Sequence, residues 1–179
     1  MSSDLFDTPG HSIDSLAKNL TEVKGYNPEL RVSYEETPPV IFLDESAIID
    51  YLENQGRKIE TRIFGDNYFE GPQDIEKLLE NFPNKIAIPE RFEDLRTGKF
   101  GRSLEENEIR RRLEIVDSNS TYVNLDEVDT PEGFKEVGHA DHRDKRIAGF
   151  GYEENAVIAT YDDDFLSFPI NYTTPGMLL

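Results

Sequence analysis

The stretch VIATYDDDFL, Val157 to Leu166, joins a run of apolar, strand-like residues almost directly to three consecutive aspartates. Asp162, Asp163 and Asp164 repel one another, and Asp is a poor strand former. The strand therefore ends near Thr160 and the acids open the segment beyond it. VIFLDES, Val40 to Ser46, is built the same way, with Asp44 closing a continuous apolar run. Short apolar runs without alternation belong to strands buried on both faces. ESAIIDYLENQG follows with Ala47, Ile48, Tyr51 and Leu52 at helical spacing and Gly56 as the expected stop. Asp44 thus stands where a buried strand hands over to a helix.

Outward from these two stretches, the pattern alternates. TRIFGDNYFEGP is turn-rich, and QDIEKLLENF reads as a helix ending before Pro83. KIAIPE is a second strand, followed by a helix over PERFEDLRTG with Pro89 near its first turn. SLEENEIRRRLEIV carries a capping-box spacing, Ser103 to Glu106, ahead of apolar positions Ile109, Leu113 and Val116. STYVNLD is a third strand, TPEGFKEVGHADHRDKRIAGFGY is mostly helical with a break near Gly138, NAVIAT is a fourth strand, and SFPINY a short fifth.

Strands alternating with helices imply right-handed crossovers. The expected fold is a three-layer α/β/α sandwich around a central, mostly parallel sheet of four to five strands. Residues 1–38 are read as an extension with one amphipathic helix (Ile13, Leu16, Leu20 on one face), and residues 39–179 as the folded domain.

Composition narrows the chemistry. The 179 residues hold no Cys, which excludes disulfides, thiolate zinc sites and cysteine nucleophiles. No apolar run reaches membrane-spanning length and the N-terminus lacks a signal-peptide pattern, so a soluble cytoplasmic protein is expected. The 37 acids against 19 Lys and Arg, a net charge of -18, are spread along the whole chain. Such a surface keeps a protein dispersed at high salt, and a halophilic source is the expected reading. His139 and His142 are expected at the surface, because three His without Cys make a poor zinc site.

In open α/β sheets the functional crevice lies beyond the carboxyl ends of the strands. Asp44 and Asp162 are placed there by strand ends. Asp94 lies on the helix after the second strand, and Asp144 early in the helix before the fourth, with Ile147 and Ala148 toward the core. Carboxylates brought this close cannot all stay ionised unless a positive charge sits among them. Oxygen donors favour Mg²⁺ or Mn²⁺ over zinc. Such an ion generates hydroxide and stabilises the oxygens of a phosphoryl displacement, the chemistry of a nuclease or phosphatase.

The order of these elements resembles the PIN domain, the fold of VapC-type toxins and related ribonucleases. The likeness is carried by Asp44 with Ser46 two residues on, DLRTG at Asp94, Asp144 with Ile147 and Ala148, and Thr160, Asp162, Asp164 and Phe165. It covers roughly Val40 to Tyr172. The resemblance implies a Mg²⁺- or Mn²⁺-dependent endonuclease acting on single-stranded RNA. Asp44, Asp94, Asp144 and Asp162 would be its catalytic metal ligands, with Asp164 in support. The family's helix acid is usually Glu, which leaves Glu93 and Asp94 as alternatives. Ser46 and Thr160 would contact substrate. Arg96, Lys99 and Arg102, with Arg110, Arg111 and Arg112, form the densest basic region; they either pair with Glu105, Glu106 and Glu108 at neighbouring turns or track phosphates near the metal, and the second is the expected reading. A cognate antitoxin and a homodimer are the partners that toxins of this family suggest. A haloacid-dehalogenase-like phosphatase is the rival enzyme, but it needs an Asp where this chain has Ser46. A catalytically inactive PIN-like binding module is the non-enzymatic alternative.

Overall fold

The computed structural model describes residues 40–60, 67–82, 84–89, 104–138, 140–162, 164, 165, 168 and 170–179. The expected N-terminal extension and the PERFEDLRTG helix beyond Pro89 lie outside the described residues, and with them Glu93, Asp94, Arg96, Lys99, Arg102, His139 and Asp163; Pro89 itself, expected in the first turn of that helix, is the last residue of a strand. In chain order the elements are β1 (Ile41–Leu43), α1 (Glu45–Glu53), β2 (Arg57–Glu60), β3 (Asn67–Glu70), α2 (Pro72–Asn81), β4 (Ile86–Pro89), α3 (Glu106–Asn119), β5 (Ser120–Val123), α4 (Glu132–Lys135), α5 (His142–Glu153), β6 (Val157–Ala159) and β7 (Asn171–Thr173). Short 3-10 turns occupy Leu125–Glu127 and Pro175–Leu178.

Five strands form one parallel sheet in the order β5-β4-β1-β6-β7. The register aligns Ile41 with Ile86 and Val157, and Phe42 with Ala87 and Ile158. Side chains alternate across a sheet, so aligned residues share a face. Ile41, Leu43, Ile86, Ile88, Val157 and Ala159 pack with α1, α2 and Val116 of α3. Phe42, Ala87 and Ile158 pack on the opposite layer, with Phe134 of α4 and Ile147 and Ala148 of α5. Two cores, one on each face, account for the uniformly apolar strands and make the expected three-layer sandwich.

The chain runs outward from β1 through β4 to β5, then returns to lay β6 on the other side of β1. The strand order therefore reverses between β1 and β6, the place where α/β sheets open a crevice at their carboxyl ends. Asp44 N–H bonds Ala159 O at 2.9 Å, so the pairing of β1 with β6 continues to Asp44 itself.

Several boundaries differ from expectation. The segment after α1 contains a two-stranded antiparallel hairpin, β2–β3, with β3 inside the stretch expected to be turn-rich and β2 just before it. Its inward residues Ile59 and Glu70 are buried while Phe69 is exposed. α1 ends on Asn54 rather than Gly56, in the left-handed region at φ 58° that Asn tolerates. α3 begins at Glu106 with Glu105 as N-cap, whose carbonyl accepts from Glu108 and Ile109 at 3.0 and 3.1 Å, so Glu106 is the first helical residue and not the third position of a Ser103 capping box. The fifth strand is Asn171–Thr173, later than SFPINY suggested.

α5 is held close to the segment before α4. A Cβ at Gly149 would lie 2.7 Å from Asp129 O, so only glycine allows this approach, and the approach fixes the helix that carries Asp144.

Phe42 is fully buried, its ring 5.3 Å from that of Phe150. Phe42→Ala is expected to lower unfolding free energy by about 3–5 kcal/mol. Urea melts of the two proteins check this; a loss below 1 kcal/mol would mean that the layer between sheet and α5 is not packed as described.

Candidate metal centre

β1 and β6 end side by side, and the residues just beyond them form one hydrogen-bonded unit. Asp44 occupies the N-cap position of α1 without using its side chain to cap the helix. Its Oδ2 instead accepts from Thr160 Oγ1 at 2.9 Å and Ser46 Oγ at 3.1 Å. The Thr160 hydroxyl also accepts from Asp162 N–H at 3.0 Å, and Asp162 Oδ1 accepts from Asp164 N–H at 2.9 Å. The turn after β6 is thus written by its own side chains, a use of Thr and Asp that is common where a strand breaks into a loop.

α5 supplies the third element. Asp141 caps it, accepting from Asp144 N–H at 2.8 Å, and Asp144 stands in the first turn. Arg143, beside Asp144, makes a two-bond ion pair with Glu45, beside Asp44, at 2.5 and 3.2 Å. This pair ties the N-termini of α5 and α1 together and sets Asp144 across from the strand ends.

Among the described residues, Asp144, Asp162 and Asp164 form the group that could hold a metal ion, with one oxygen of each lying within 4.8 Å of the others. A six-coordinate Mg²⁺ places neighbouring oxygens about 3 Å and opposite ones about 4 Å apart, so these donors are near the spacing it requires. Three carboxylates, without sulfur or imidazole, are also the donor type that such an ion takes. Asp164, expected only in support, belongs to the group itself. Asp44 stands beside the group, with one oxygen engaged by two hydroxyls.

The electrostatics agree with the geometry. Burial pushes the Asp144 carboxyl up to about 7, and the negative charges of Asp141, Asp162, Asp44 and Asp164 push in the same direction. Burial also raises Asp44, against the lowering effect of the Thr160 and Ser46 hydroxyls. Desolvated acids facing one another hold protons until a cation replaces them.

The basic residues do not all serve as expected. Arg112 bonds Glu108, the Tyr51 carbonyl and Asn54 while lying over the Tyr51 ring, and Arg111 pairs with Glu76 and Glu108. These two guanidinium groups latch α3 to α1 and α2, and hold Glu108 down at about 2. They are therefore engaged within the protein rather than free to track phosphates. His142 opens α5 at the surface, its Nε2 accepting from Arg146. Ser46 and Thr160, expected to touch substrate, are directed at Asp44.

Asp141 and the Arg143–Glu45 pair escaped the sequence reading. The first had a signal, an acid three residues before Asp144 at a helix start. The second joins residues 98 positions apart and left no local trace. No protein-family model, curated protein or solved structure matches this chain.

An acid whose pKa is higher in the folded chain binds its proton more tightly there, so protonation favours folding. For Asp144 this contribution is present below the unfolded value near 4 and fades as the pH rises toward about 7. Asp144→Asn is accordingly expected to raise the melting temperature of the metal-free protein at pH 8 and to leave it nearly unchanged at pH 4. Scanning calorimetry at both pH values tests this; equal shifts at the two would remove Asp144 from the acidic cluster.

Proposed function

We propose that this protein is a Mg²⁺- or Mn²⁺-dependent endoribonuclease that hydrolyses phosphodiester bonds of single-stranded RNA. The observation that carries the reading is the convergence of Asp144, Asp162 and Asp164, from two separate elements, at the point where the strand order reverses. The PIN-like order of Asp44, Ser46, Asp144, Ile147, Thr160, Asp162 and Asp164 supports the choice of nucleic acid over other phosphate esters. Ser46, in place of a second Asp, disfavours a covalent aspartyl phosphatase.

A divalent ion at the three carboxylates would neutralise the incoming phosphate and acidify a water molecule. The chain's own residues do the rest. Asp144 on α5 and Asp162 and Asp164 after β6 would hold the ion. Asp44 adds negative charge behind them, fixed in orientation by the Thr160 and Ser46 hydroxyls. Once ionised, its carboxylate would be placed to orient a bound water or accept its proton. The Arg143–Glu45 pair keeps the distance between α5 and the strand ends constant, so the ligands are preorganised. In a protein of this charge, an ion held there would also offset the repulsion of an approaching RNA phosphate.

A toxin role restrained by an antitoxin, with the chain paired as a homodimer in a salt-adapted cytoplasm, belongs to the same proposal. Among the described residues no helix is long and apolar enough to cross a membrane.

Incubating a mixed single-stranded RNA pool with the protein and Mn²⁺ in high salt is expected to give cleavage that EDTA abolishes. Asp162→Asn should lower the rate at least about 100-fold, and Thr160→Val, which removes one of the two hydroxyls holding Asp44, about 10-fold. A folded protein that binds Mn²⁺ and cuts nothing would favour the inactive binding module. Cleavage unaffected by Asp162→Asn would place the activity elsewhere.

A further inference from the structure

Tyr161 stands between the two halves of the site: Thr160 before it bonds Asp44, and Asp162 after it belongs to the carboxylate group. Its ring packs on the opposite core, the one shared by α1, α2 and the sheet. Three contacts fix it. The hydroxyl donates to Glu70 Oε1 at 3.1 Å. The Arg57 guanidinium lies 5.7 Å from the ring centroid, itself bonded to Asp50 of α1. The backbone N–H donates to Ser46 Oγ at 3.3 Å, the same hydroxyl that bonds Asp44.

Glu70 is an unusual anchor. It is 1% exposed, sits at the end of β3, and also accepts from Gly176 N–H at 2.6 Å and from the Thr174 hydroxyl. A buried carboxylate stabilises less than an apolar side chain of its size unless its hydrogen bonds are made. Here those bonds join three segments remote in sequence, and one of them is the residue immediately before the metal-site acids. Phenylalanine would fill the same space as Tyr161 without reaching Glu70.

The loop after β6 has a specific need for such an anchor. It carries Asp162 and Asp164, whose charges repel each other and Asp144, and loops beyond strand ends are the least constrained backbone of a sheet. We propose that Tyr161 is a positioning residue of the candidate metal centre, its hydroxyl bond to Glu70 on the β2–β3 hairpin holding the loop so that Asp162 and Asp164 face Asp144. This inference rests on the metal-centre reading for its purpose, but the mechanical link stands on the hydrogen bonds alone.

Two measurements on the full chain separate those dependences. In the metal-free protein, Tyr161→Phe is expected to speed hydrogen exchange of the Asp162 and Asp164 amides about tenfold, while the β1 and β6 amides exchange as in wild type. In Mn²⁺ titration calorimetry the same variant is expected to bind about tenfold more weakly, the scale of lost outer-shell support. Thr174→Val removes a different bond from Glu70 and serves as the control: it should lower the melting temperature without changing Mn²⁺ affinity. Unchanged exchange at Asp162 and Asp164 in Tyr161→Phe would overturn the proposal, as would equal Mn²⁺ weakening in Thr174→Val. A wild-type protein that binds no Mn²⁺ would overturn the metal centre, and with it the purpose given to Tyr161, whatever the exchange data show.

Discussion

β1 and β6 lie side by side although more than a hundred residues separate them, and the site depends on that pairing. Parallel pairing brings two carboxyl ends to the same edge of the sheet, and each strand closes on a polar segment rather than continuing into solvent. The pairing persists to Leu43 and Ala159, which leaves Asp44 and Thr160 facing each other at hydrogen-bond distance. From that contact the rest is built up. Thr160 fixes the start of the Asp162 turn, Asp162 fixes Asp164, and the Arg143–Glu45 pair brings α5 across to supply Asp144.

The arrangement is electrostatically costly. Asp44 and Asp144 are both pushed toward their neutral forms by burial, and Asp144 also by four neighbouring aspartates. A surface cluster of acids would relax by swinging its side chains into water. Here hydrogen bonds hold the Asp44 and Asp162 side chains and the backbone of Asp144 and Asp164. Acids gathered against their own repulsion form a group that could hold a cation.

Much of this was legible in the sequence because the strands are so uniform. Continuous apolar runs ending in Asp identified β1 and β6, and with them the positions of Asp44 and Asp162. The spacing of Asp144, Ile147 and Ala148 on one helix fixed which face of α5 is buried. What escaped was whatever depends on contacts between distant residues. Strand β3 sits in a segment that reads as turn-rich, and the inward residues of its hairpin, Ile59 and Glu70, gain meaning only from the body they pack against. The run Arg110–Arg112 reads locally as a phosphate rim; only the fold brings Glu76, Asn54 and the Tyr51 carbonyl within reach of Arg111 and Arg112. Within the site, strand ends and the PIN resemblance pointed to Asp44, Asp94, Asp144 and Asp162 with Asp164 in support, whereas among the described residues the geometry groups Asp144, Asp162 and Asp164 and leaves Asp44 beside them, held by two hydroxyls.

The central claim is that Asp144, Asp162 and Asp164 together hold one divalent ion. Diffraction from crystals soaked in MnCl₂, collected near the manganese absorption edge, tests it most directly. The account predicts an anomalous peak about 2.2 Å from an oxygen of each of the three carboxylates. No peak among them at millimolar Mn²⁺, or a peak at other acids instead, would contradict it.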